Sequence, residues 1–158
     1  MTDDLRIDKE PTSVSLLTVG GEKLSGQVFV YPFYPLRGGR EQPIDIMNAP
    51  GEYFPLQTKE GIVLVSKSAI AELDYAAVDD ALEDGSLPVG VRVTLSVTMA
   101  GGKAYSGAVW VEGPVNTPRL LDFMNRASAQ DQRFLVLHAK SRVRLLNKKH
   151  IETIRTTD

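Results

Sequence analysis

The chain is 158 residues long, contains no cysteine, and balances 18 Lys/Arg against 20 Asp/Glu for a net charge of −2. Without cysteine there are no disulfide staples or thiolate metal sites, and a reducing compartment is expected. The start, Met1-Thr2-Asp3-Asp4-Leu5-Arg6, lacks the basic opening and apolar run of a secretory signal, and no apolar stretch approaches bilayer length, so a soluble, cytoplasmic protein without a membrane partner is expected.

The near-neutral total hides a split. Residues 1–88 hold 7 Lys/Arg and 15 Asp/Glu, a net of −8, whereas residues 89–158 hold 11 and 5, a net of +6. Opposite halves can attract each other within a chain, associate head to tail between chains, or present the basic half to an anion such as RNA. Because the total nearly cancels, pairing of the packed halves within the chain is the favoured reading, with a homo-oligomer through acidic–basic pairing of repeats as an alternative.

Along the chain, Val14, Leu16 and Thr18 alternate with Ser15, Leu17 and Val19, the period of a strand. Gly20-Gly21 marks a reversal, and alternation resumes over Leu24 to Tyr31, so the chain opens with a hairpin. A glycine pair can cradle phosphate, but no helical pattern follows this one. Tyr31-Pro32-Phe33-Tyr34-Pro35 comes next, followed by Arg37-Gly38-Gly39-Arg40. Three aromatics among prolines either pack over a neighbouring element or form an exposed docking surface for a protein. Pro43 to Asn48 reads as a short helix stopped near Pro50, and Phe54 to Thr58, Ile62 to Ser66 and Ile70 to Leu73 read as three further strands. The stretch 75–88 is acidic and alanine-bearing, with Val78, Ala81 and Leu82 at helical spacing, and is expected to be a helical linker.

The same order then returns. Ser15, Gly20-Gly21, Ser25-Gly26, Val28 and Val30 reappear 81 residues later as Ser96, Gly101-Gly102, Ser106-Gly107, Val109 and Val111. Asp45-Ile46-Met47-Asn48 is echoed by Asp122-Phe123-Met124-Asn125, inside a helix expected from Thr117-Pro118 onward; Phe54 is matched to Phe134, and Leu64, Lys67 and Ile70 to Leu145, Lys148 and Ile151. The Asp-x-Met-Asn pair is offset by 77, which places four extra residues in the loop of the first copy. A repeat this long means tandem domains, not a solenoid. The expected organisation is a first β-rich repeat over 1–74, the linker, and a second repeat over 89–158. The fold class expected is all-β with short helices, two tandem five-stranded small open barrels.

No residue set carries a catalytic signature. His138 and His150 are the only histidines and lack an acid or second histidine at ligand or base-pairing spacing, so no enzyme, metal or cofactor is expected. Asp45 and Asp122 read as braces for a helix start, not as general bases, since duplication retains folding determinants before chemistry. Arg142 and Arg144 alternate with Val143 and Leu145 and project to one face, with Lys148 and Lys149 close behind; Gly61 and Val63 stand at the aligned positions of the first copy. These four residues are the candidate anion or RNA site, though the stretch lacks the interleaved aromatics of single-strand binders.

Two strands, then two more closed by a lysine and an apolar strand, resemble the Sm-like small β-barrel proteins. Val65-Ser66-Lys67-Ser68-Ala69-Ile70 and Leu146-Asn147-Lys148-Lys149-His150-Ile151 resemble the closing motif of the bacterial RNA chaperone of that class, in which a Lys-His pair precedes a strand isoleucine. Lys67 and Lys148 take the lysine place; Ser68 and Lys149 stand where that family has histidine. The chain is also similar to bacterial domains of unknown function that share a helical Asp-x-[Leu/Met]-Asn, a later Phe-x-x-Leu and a final Asn-Lys-x-His-Ile. That likeness implies a fold and no activity. The expected function is a non-enzymatic interaction or regulatory module that binds a protein partner through Tyr31, Phe33, Tyr34, Arg37 and Arg40, the alternative being RNA binding through Arg142, Arg144, Lys148 and Lys149.

Overall fold

A computed structural model describes residues 9–35, 38–77, 91–111, 117–126 and 133–157. The first copy runs β1 (Glu10–Thr18), β2 (Lys23–Val30), α1 (Pro43–Asn48), β3 (Tyr53–Thr58), β4 (Gly61–Ser66), a 3-10 turn (Lys67–Ala69) and β5 (Ile70–Ala76). The second repeats that order as β6 (Val91–Met99), β7 (Ala104–Val111), α2 (Thr117–Arg126), β8 (Phe134–Ala139), β9 (Arg142–Asn147), a 3-10 turn (Lys148–His150) and β10 (Ile151–Thr156). All ten strands join one antiparallel sheet in the order β10-β6-β7-β8-β9-β5-β1-β2-β3-β4. The all-β class is as expected. The two copies are nevertheless not separate units, because β9 of the second pairs along its length with β5 of the first. No helix among the described residues is long and apolar enough to cross a membrane.

The hairpins close where the glycines stand. Gly21 and Gly102 hold φ of +93° and +92°, a left-handed conformation that glycine adopts without a steric penalty, and their amides donate to Thr18 and Met99 carbonyls at 3.0 and 2.9 Å. A second glycine pair has a different task. Gly26 and Gly107 lie where β2 and β7 turn toward β3 and β8, each of these strand pairs meeting at a single residue pair, Gln27 with Gln57 and Ala108 with His138. A side chain at Gly107 would meet Leu137 Cγ at 2.6 Å and the His138 carbonyl at 2.8 Å; one at Gly26 would overlap the Gln57 carbonyl.

Three expectations need correction. The strand pairing keeps the offset of 81 through β3 and β8, so Phe134 corresponds to Tyr53 and Leu135 to Phe54, one residue away from the aromatic-to-aromatic match. β5 continues through Tyr75 and Ala76, which the linker was expected to contain; 78–88, the rest of the linker after Ala77, lies outside the described residues. Asp45 does brace a helix, its Oδ2 accepting the Gln42 amide at 2.8 Å, but Asp122 sits exposed in the middle of the longer α2.

Two apolar clusters fill the fold. The first contains Val14, Leu16, Val28, Val30, Phe54, Leu56 and Tyr75 from its own copy, and also Phe134, Val143 and Leu145 from the second. The other gathers Leu95, Val97, Val109, Leu135, Leu137 and Leu146, with Ile151 and Ile154 partly buried at its margin. β9 thus serves both cores, Val143 and Leu145 facing one and Leu146 the other, as alternation in a strand requires.

Candidate functional site: the junction between copies and the free strand edges

The junction is the place where charge, burial and hydrogen bonding meet. Arg144 Nε lies 3.4 Å from Glu72 Oε2, and Arg142 pairs with Asp74, each pair spanning β9 and β5. The Arg144 guanidinium also stands 4.6 Å from the Tyr105 ring centroid, while burial and then Glu72 hold the Tyr105 hydroxyl well above its ordinary pKa. Asn147 is buried at the end of β9, and its Nδ2 donates to the Ile70 carbonyl at 2.9 Å and toward that of Lys67 at 3.4 Å. Glu52 receives Arg133 at 3.1 Å, the Ser66 hydroxyl at 2.8 Å and the Ser68 amide at 2.8 Å. The Ser68 and Ser66 bonds draw its carboxyl down to about 2.

The four basic candidates are therefore not one free surface. Arg142 and Arg144 face acids of the first copy. Lys148 has no hydrogen-bond partner among the described residues: its Nζ is buried beside an apolar pocket of about 220 Å³ lined by Val109, Trp110, Phe123 and Val136, and desolvation lowers its pKa from 10.5 to about 8. Lys149 is exposed and, among the described residues, unengaged by an acid, whereas Arg142, also exposed, is held by Asp74. In the first copy the matching Lys67 is more deeply buried but satisfied, donating to the Ala49 carbonyl at the end of α1 at 2.8 Å.

The aromatic loop folds back on itself. Tyr34 donates its amide to Gly39 and accepts the Gly38 amide; the Tyr31 amide donates to Glu41 Oε1 at 3.0 Å and the Lys9 ammonium lies 4.5 Å from its ring. Phe33 is exposed, Tyr31 and Tyr34 are half-buried, and Arg40 pairs with Glu10 at 3.0 Å. Arg37 lies outside the described residues. His138 packs edge-on against Trp110 with centroids 4.9 Å apart, whereas His150 Nε2 lies 3.2 Å from the Ser68 carbonyl, so the histidines do not share a site. No group of three metal-ligating side chains occurs among the described residues.

Sequence reading missed the outer edge. Among the described residues β4 ends the sheet with no strand on its outer side, and Ile62 and Leu64 on it are 68% and 69% exposed, beside Tyr53 at 64%. Their counterparts in the second copy, Val143, Leu145 and Phe134, are 6%, 0% and 2% exposed and sit in the first core. The chemistry of the positions is shared, so what differs is whether a neighbour covers them. Comparison with protein-family models, curated proteins and solved structures yields no match.

Proposed function

We propose that the chain is a non-enzymatic interaction module that docks a protein partner by adding a strand to the β4 edge. One observation carries this reading: Ile62 and Leu64 of the outermost strand β4, with Tyr53 of the adjoining β3, form an apolar surface beside a strand edge that has no neighbour among the described residues, at positions that the second copy buries. An unpaired edge offers backbone donors and acceptors in register, and alternate side chains supply specificity, which is how strand addition recognises a polypeptide. The exposed Phe33 of the aromatic loop is a second apolar element available to a partner. The reading also takes each copy as a small open barrel of the Sm-like kind, with Gly26 and Gly107 as its bend points.

The test is a photoreactive amino acid placed at Ile62 in the full chain, with the same residue at Ser15, away from the edge, as control. Cross-linking to a polypeptide from position 62 and not from 15 supports edge docking; no product from position 62 refutes it. A fluorescent-oligonucleotide titration at low and moderate salt covers the alternative. Tight, salt-sensitive binding lost on Arg142→Ala and Arg144→Ala would replace this reading with RNA recognition.

A further inference from the structure

Resting on that reading, we infer that the partner at the β4 edge is a second copy of this chain, which seats its β10 strand and α2 helix there and repeats between chains the junction that β9 and β5 make within one.

The internal junction works as a plug in a socket. Phe134, Val143 and Leu145 are the plug: they leave their own copy and complete the core of the first. The socket is β5 with α1, where Ile70, Leu73 and Tyr75 are buried and Ile44 and Met47 of the helix are covered, α1 lying against β8. Each half has an unused duplicate at the far end of the sheet. The duplicate plug is Tyr53, Ile62 and Leu64, all exposed. The duplicate socket is β10 with α2. Ile151 and Ile154 there are only partly buried where Ile70 and Leu73 are fully so, and Leu121 is 58% exposed where its helical counterpart Ile44 is 8%. Both free ends therefore expose the apolar positions that the internal junction hides, and the two ends are complementary to each other, not to themselves.

Register and charge agree. The pairing of Leu73 with Leu145 and Tyr75 with Val143 becomes, after a shift of one copy, Ile154 with Leu64 and Thr156 with Ile62 of the next chain. Glu52 and Arg133 occupy the same place in their copies and pair with each other at 3.1 Å, so the shift sets the next chain's Glu52 against this chain's Arg133 again. The contact also brings a copy with net charge −8 against one with +6. Because the two ends differ, the interface is heterologous and extends to a ring or a filament; an isologous pair of β4 edges would leave both sockets open.

The experiment is sedimentation of the full chain at 1:1 mixtures of two variants, Leu64→Asp, which spoils the plug, and Leu121→Asp, which spoils the socket. Both residues are exposed in the single chain, so folding is retained and is checked by circular dichroism. Wild type is expected to sediment as a multimer and each variant alone as a monomer, with the dissociation constant raised roughly a hundredfold or more by loss of one buried leucine. The mixture is expected to give a dimer, since it retains one intact plug and one intact socket. A monomeric wild type at ~100 μM, well above the range of specific association, or a mixture that stays monomeric, overturns self-pairing. The cross-link from Ile62 separates the two failures: a product with a different polypeptide overturns only the identity of the partner, whereas no product removes edge docking as well.

Discussion

Asn147→Ala tests whether the copies are welded together by the junction described above. The Asn147 side chain is buried, donates to the Ile70 carbonyl at 2.9 Å, and accepts the Lys149 amide at 3.1 Å through Oδ1. The approach to the Lys67 carbonyl, at 3.4 Å, is at the limit of a hydrogen bond and contributes little. Truncation strips a donor from one backbone carbonyl and an acceptor from one backbone amide. Each buried group left unsatisfied costs about 1–3 kcal/mol, and access of water at the 3-10 turn places the sum near ~2–4 kcal/mol. With a urea slope of about 2 kcal/mol/M for a domain this size, the midpoint should fall by about 1–2 M. Fluorescence of Trp110, the sole tryptophan, follows the transition. The matched residue of the first copy, Ser66, donates only to the Glu52 carboxylate, so Ser66→Ala should cost about 1 kcal/mol or less. Equal losses from the two substitutions would refute the junction as the source of the difference.

Two further perturbations probe the bend points and the buried amine. Gly26→Ala and Gly107→Ala should each destabilise by about 1–3 kcal/mol, a fall in Tm of several degrees, because the added methyl meets a strand backbone that cannot yield, while Gly20→Ala, with nothing nearer than 3.8 Å, should be neutral in the same melt. Lys148 titrates near 8 when folded and near 10.5 when unfolded, so between those values the unfolded chain holds the extra proton and stability rises with pH. Lys67, lowered by burial, acts in the same sense. Urea midpoints at pH 7.5 and 10 should therefore rise for wild type and rise less for Lys148→Met; identical slopes would show that the amine is not desolvated.

Much of the fold was legible because it is written twice. The glycine turns, the succession of strands along the chain and the start of α2 followed from local pattern, and the recurrence of the turns and strands 81 residues on supported it. The error at Phe54 arose from matching aromatic to aromatic. A slip of one residue in a strand reverses the face of every side chain, and it is the pairing of Gln27 with Gln57 and of Ala108 with His138 that sets Phe134 against Tyr53. Asp122 was misjudged because α2 begins five residues before it, whereas α1 begins two before Asp45. The site was less legible than the fold. Arg142 and Arg144 read as part of an anion or RNA site, since the acids opposite them, Asp74 and Glu72, come from a strand some 70 residues away. Burial of Leu145 and exposure of Leu64 are likewise invisible in the strands themselves, because each depends on what lies alongside.

The two copies have diverged at the positions where the internal and outer contacts would otherwise be alike. Arg142 and Arg144 face Asp74 and Glu72 inside the chain, but after the shift of one copy those four places hold Gly61, Val63, Arg155 and Thr153. The apolar plug is kept at both ends while the ion pairs are kept at one. A half-buried pair adds modest affinity, yet a β9 strand seated against the β10 of another chain would leave Arg142 and Arg144 facing Arg155 and Thr153 without their acids, and that loss penalises the wrong match. Charge thus selects which strand β9 may join, and the shared apolar residues supply the adhesion. The ion pairs therefore favour β9 on β5 over β9 on β10, and the β4 edge, with Gly61 and Val63 at the matching places, carries no such charge selection.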